Sequence, residues 1–183
     1  MDADKRVLLE KDDVQRTISR MAHEIIEKNG GAAGIALVGI RSRGAHLARR
    51  IGRKIETLSG GALATGVVDI TPYRDDIDRP TADEPPRMDV PVAIDDRTVV
   101  LVDDVINTGR TIRAALEMLA RLGKPHKILV ATLVDRGDRE LPIRADIVGK
   151  NVKVEDSERV NVLLQESDGA DLVVVTGGKK NKA

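Results

Sequence analysis

No cysteine occurs among the 183 residues, so the chain forms no disulfide and no thiolate metal site. Phe and Trp are absent as well, and Tyr73 is the single aromatic. A base bound here is therefore not held on a platform of several stacked rings. Net charge is missing too: 30 Lys and Arg balance 30 Asp and Glu. That excludes attachment to nucleic acid by bulk charge, yet it leaves room for one basic face offset by acidity elsewhere. Apolar runs such as 35–40 and 98–102 fall far short of the ~18 residues of a membrane span. The N-terminal MDADKRVLLEKDD lacks the apolar core of a signal peptide, so the expectation is a cytoplasmic protein with no membrane partner. What remains is an ordinary globular balance, 41% hydrophobic with 16 Gly. At this length a single domain over 1–183 is expected, with a core that needs no metal to hold it.

Apolar residues recur at helical spacing from Asp12 to Asn29, after an Asp-Asp N-cap and before Gly30-Gly31. The other face of that helix carries Arg16, Ser19, Arg20, His23 and Glu27. GIALVGI (34–40) reads as a buried strand, RSRG as a loop, and Leu47 to Leu58 as a second helix ending at Gly60-Gly61. ATGVVDI (64–70) is a further strand. It leads into a stretch, about 71–97, rich in Asp, Arg and Pro and without periodicity, the pattern of a functional flap or a disordered insertion. TVVLV (98–102) and KILVATLV (127–134) are strands around a helix at 112–122 that is closed by Gly123 and Pro125. Apolar runs at 160–164 and 172–175 half-repeat the pattern before a tail, about 177–183, expected to fray. Strands alternating with helices predict an α/β domain around a mainly parallel sheet.

The chemistry concentrates in VVLVDDVINTGRT (99–111): a buried strand, Asp103-Asp104, Val105, a short loop with Asn107, then Thr108-Gly109-Arg110-Thr111 opening a helix. Backbone N–H groups at a helix start, two hydroxyls and a glycine that permits close approach can surround a phosphomonoester. Neither G-x-x-x-x-G-K nor G-x-G-x-x-G is present. The carboxylates stand where α/β sheets bind ligands and can accept hydrogen bonds from sugar hydroxyls. GIRSRG (39–44), with Arg41, Ser42 and Arg43 in one turn, suits a pyrophosphate.

An acidic pair after an apolar strand, leading into T-G-x-[ST], resembles the type I phosphoribosyltransferases. The resemblance implies a Rossmann-like fold, Asp103 and Asp104 on the ribose hydroxyls of phosphoribosyl pyrophosphate (PRPP), and Thr108 to Thr111 on its 5′-phosphate. It implies Arg43 on the pyrophosphate and a flap around DITPYRDD (69–76) in which Arg74 shields the reaction. DITxYRDD, VDDVxxTGRT, VDRGxRELPIRAD and VGKN in this order resemble the pyrimidine-operon attenuators that double as uracil phosphoribosyltransferases. That likeness places the base by Val134, Asp135 and Arg136, and leader RNA by Ser19, Arg20, His23, Arg139, Arg144 and Lys150. It implies uracil, UMP, UTP and PRPP as ligands, Mg²⁺ carried by PRPP with no dedicated protein ligands, and a homo-oligomer.

The chain departs from the family at four places: Asn107 for an aromatic, Asp138 for His, Pro72 for Leu, and VEDSE (154–158) for P-T-S-[RK]-S-E. Two other readings stay open on these grounds. One is an RNA-binding nucleotide sensor without turnover, the other a phosphoribosyltransferase for another base.

Overall fold

The computed structural model describes residues 5–71, 88–90 and 92–177. Strand β1 (Lys5–Leu9) leads into α1 (Lys11–Asn29), which starts one residue earlier than the periodicity suggests. Its N-cap is Glu10, in a capping box with Asp13, so the two aspartates lie in the first turn and favour the positive end of the helix. Val14, Ile18, Met21, Ala22 and Ile25 form its buried stripe. Next come β2 (Ile35–Ile40), α2 (Arg43–Ser59), β3 (Ala64–Val68) and β4 (Met88–Val90). They are followed by β5 (Thr98–Ile106), α3 (Arg110–Leu122), β6 (Lys127–Asp135) and β7 (Ile147–Asn151). The short helix α4 (Gln165–Asp168) sits between β8 (Glu158–Leu163) and β9 (Leu172–Gly177).

Two sheets result. The larger has the order β4-β3-β2-β5-β6-β7, in which only β4 pairs antiparallel. β2 and β5 are buried along the strand body, as strands covered by helices on both faces must be. From β2 the chain steps outward to β3, and from β5 it steps the other way to β6 and β7. The order therefore reverses between β2 and β5, where open α/β sheets bind ligands beyond the carboxyl ends of their strands. Leu37, Val100 and Val102 belong to one core with α1 and α2, whereas Val38, Val99 and Leu101 belong to the other core with α3.

Three expectations change, and one strand is added to them. β5 runs on through the acidic pair to Ile106, so the two acids lie within the strand and not after it. The segment VGKN is part of an edge strand, β7, paired parallel to β6. The apolar runs near the end do not extend the parallel sheet; β8 and β9 pair antiparallel with each other, and β9 pairs with β1 in a separate three-stranded sheet. The non-periodic stretch 71–97 is interrupted at its end by β4 and by Ile94, which is buried in the second core. Arg74, Tyr73 and Pro72 lie outside the described residues, as does the tail beyond Gly177.

Candidate active site

The first wall of the site is the turn after β2. Arg41 donates its backbone N–H to Val68 O (2.9 Å), tying the turn to the end of β3. α2 begins at Arg43, and Gly44 presses on β5: a Cβ there would lie 2.5 Å from Val102 O and 3.2 Å from Asp103 Cα. Glycine is what lets this turn sit against the acidic strand. Ser42 is exposed at its apex.

The second wall is the end of β5. Asp103 is 6% exposed, and its Oδ1 accepts the backbone N–H of Asp104 (2.9 Å). Asp104 Oδ1 accepts the N–H of Val105 (2.9 Å). Burial pushes the Asp103 carboxyl well above the ordinary carboxylate range, and the neighbouring Asp104 pushes it further. Asp104 is also raised by burial, against the opposing pull of the Arg43 guanidinium. A buried acidic pair facing a cation across a turn is a site that gains by receiving hydrogen-bond donors.

Beyond β5, Gly109 caps α3 with φ +93°, a conformation that a side chain would strain. Thr108 Oγ1 lies 3.4 Å from the backbone N–H of Arg110, and Thr111 is half-buried in the first turn. The 136–143 segment backs this cradle: Glu140 and Leu141 both donate their N–H to Thr108 O, and Arg110 pairs with Glu140 (2.7 Å).

The third wall is the end of β6. Val134 is buried, and Arg136 donates its backbone N–H to Ile106 O (2.9 Å). Arg139 stitches this wall to the loop after β5, donating to Ile143 O, Asn107 O and Asp135 Oδ2 at 2.6–2.7 Å. Asp138 is paired with Arg136 (2.7 Å), so its charge is answered within the same segment. Asn107 Oδ1 is shut off from solvent and has no hydrogen-bond partner.

The residues expected on ribose, phosphate, pyrophosphate and base thus converge on the carboxyl ends of β2, β5 and β6. Those expected on RNA lie elsewhere, with exceptions. Ser19, Arg20 and His23 share α1, and Arg20 reaches across to donate to Val148 O and Gly149 O on β7, next to Lys150. Arg144 is exposed, whereas Arg139 is engaged by three internal acceptors. Sequence reasoning did not find Asp168. Its carboxylate takes both Nε (3.2 Å) and Nη2 (2.9 Å) of Arg43 from 125 positions away, and nothing local to either residue signals the pair.

The phosphoribosyl transferase domain model matches residues 8–164. The chain belongs to that family. It is 52% identical to the bifunctional protein PyrR of Chloroflexus aurantiacus over 97% of this chain and 98% of that one. To the bifunctional protein PyrR of Bacillus subtilis it is 47% identical, over 93% and 96%. Among solved structures, a hypoxanthine phosphoribosyltransferase of Staphylococcus aureus superposes with a TM-score of 0.71 at 21% identity, covering 97% and 94% of the two chains. That last likeness concerns the fold, which is the Rossmann-like one expected. The order of motifs had pointed to the pyrimidine-operon group within this family, and the PyrR relatives agree with it.

Proposed function

We propose that the chain transfers the phosphoribosyl group of PRPP to uracil, giving UMP and pyrophosphate, and regulates pyrimidine genes by binding leader RNA in response to uridine nucleotides. The observation that carries the reading is the acidic pair, Asp103 buried and Asp104 half-buried. Asp103 and Asp104 stand between a glycine-capped helix start and an arginine turn, all at the topological switch of the sheet. In this reading the pair accepts the ribose hydroxyls. The N–H groups and hydroxyls from Thr108 to Thr111 take the 5′-phosphate, Arg43 the pyrophosphate, and Val134 to Arg136 the base. Asn107, in the loop that Arg139 ties to the β6 end, adjoins the base. As the bond from C1 of the ribose to pyrophosphate breaks and the bond to the uracil nitrogen forms, with that nitrogen giving up its proton, positive charge develops on the ring and negative charge on the leaving group. Fixed charges already in place then stabilise both, without reorganising. Arg74, in the flap that by resemblance to the family would shield the reaction from water, lies outside the described residues.

The donor set is two adjacent carboxylates, and among the described residues no three metal-ligating side chains gather. Such a set fits a hard cation that arrives with PRPP. Mg²⁺ bound in this way supplies charge neutralisation at the diphosphate.

The test is an assay with uracil and PRPP for UMP and pyrophosphate, run beside Asp104→Asn. Loss of a charged hydrogen bond, about 1.5–3 kcal/mol, predicts a ten- to hundredfold fall in UMP affinity by calorimetry with the melting curve retained. Unchanged affinity would remove the ribose role. UMP binding without turnover in the parent protein would favour the nucleotide sensor.

A further inference from the structure

The cations expected to meet RNA are not equally available. Arg20 holds two backbone carbonyls of β7, and Arg139 is engaged on three sides inside the base segment. Cations without such ties stand beside α1, at its start and across from it on α2. Between α1 and α2 lies an open cleft of about 540 Å³. Lys11 and Ser19 border it from α1, and Arg53, Lys54 and Thr57 from α2. At 100° per residue, Lys11, Gln15, Ile18 and Ser19 share one face of α1. The same period puts Arg50, Arg53, Lys54 and Thr57 on one face of α2.

Two acids border this region, Asp171 within the cleft and Glu166 beside it, and Arg50 answers both. Arg50 Nη2 lies 2.8 Å from Asp171 Oδ1 and also contacts Glu166. Asp171 is held below the ordinary carboxylate range, chiefly by hydrogen bonds from Arg50 and the N–H of Gln165, with Lys11 adding its charge. Among the described residues, Arg53 and Lys54 have no carboxylate within ion-pair distance. The cleft thus offers a cluster of cations with hydroxyl donors at its rim, which is the chemistry that receives phosphate. Ser19 belongs both to the cleft and to the polar strip of α1 that continues through His23.

We infer that this cleft binds backbone phosphate of the leader RNA, so that the RNA-contacting surface crosses from α1 onto α2 and is not confined to the strip and the 139–150 segment. The inference rests on the RNA-binding reading above.

The test uses the full chain carrying Arg53→Gln with Lys54→Gln, and a labelled stem-loop from a pyrimidine-operon leader titrated over a salt series. Two lost phosphate contacts predict roughly tenfold weaker binding near 0.1 M salt and a log–log salt slope flattened by about one to two units. UMP formation from uracil and PRPP stays at the parent rate, which shows that the variant is folded. Parent-like affinity and slope in the variant overturn the cleft while leaving RNA binding itself intact. If the parent protein fails to prefer the leader over an unrelated hairpin, the RNA reading falls and the cleft proposal falls with it. Calorimetry with inorganic tripolyphosphate separates the sources of phosphate: binding lost in the variant while RNA affinity is kept would assign the cleft to a free polyphosphate. A changed sedimentation coefficient in the variant would assign it to contact between copies of the chain, and would likewise overturn the proposal.

Discussion

Asp103 combines burial with a second carboxylate as its chain neighbour, and its folded pKa lies above the unfolded value as a result. Between those two values the folded state holds the extra proton, so this group lowers stability as pH rises through the window and keeps it low above. Asp103→Asn removes the ionisation. The variant should melt higher than the parent at pH 7.5, by about 2–4 °C for each kcal/mol gained, and the difference should close near pH 4, where both side chains are neutral. Its UMP affinity should fall at the same time. Melting curves at the two pH values decide the point, and an equal gap at both would mean that ionisation is not the cause. Asn107 has the same double character: a buried acceptor without a donor costs about 1–3 kcal/mol in the free protein. Asp103, at the site, is less comfortable alone than it would be with a ligand. At this scale the acids and the cradle were legible in the sequence, because a strand, an acidic pair and T-G-R-T lie within thirteen consecutive residues. The partner of Arg43 was not, since Asp168 reaches it only through tertiary folding.

Helix α2 carries two jobs on one face. Its first residue, Arg43, faces the acidic strand, and both Arg43 and Arg50 grip the segment that joins β8 to β9. Arg43 takes Asp168, and Arg50 takes Glu166 and Asp171. The small sheet shares no strand with the large one: Leu9, Val162, Leu164 and Val173 pack it into the first core, and these arginines clamp its loop. Arg50→Met should cost about 3 kcal/mol, since it leaves the nearly buried Asp171 without its main partner. Hydrogen exchange should show it selectively, with amides of β8 and β9 opening faster and those of β5 and β6 unchanged. Equal acceleration everywhere would refute a local clamp. The acid side follows the same logic. Glu166, Asp168 and Asp171 all have lowered pKa values, so their contribution is complete above the ordinary carboxylate values of 3.8–4.5 and disappears as pH falls through the folded ones. None of this was visible in the periodicity. Helices α2 and α3 were, because their apolar stripes repeat over three turns or more, whereas α4 spans four residues and has no stripe to read.

The molecule divides its core between the two faces of one parallel sheet, and local patterns carried that architecture well. Buried parallel strands announce themselves as short apolar runs, and the central pair β2 and β5 are each followed by a helix. The small sheet escaped because β1 finds β9 across most of the chain, while the apolar runs of β8 and β9, near neighbours in sequence, look no different from strands of the large sheet. Lys5 lies opposite Thr176, and Leu163 opposite Leu172. Residues KRVLL carry no signal of a partner so distant. That pairing bears on how the protein is made. Synthesis proceeds from the N-terminus at a few to some tens of residues per second. Strand β1 must therefore wait for β9 while β2 to β7 emerge and assemble. The sheet that bears the acidic pair can be complete before β9 exists, and the piece anchored by Arg43 and Arg50 closes last.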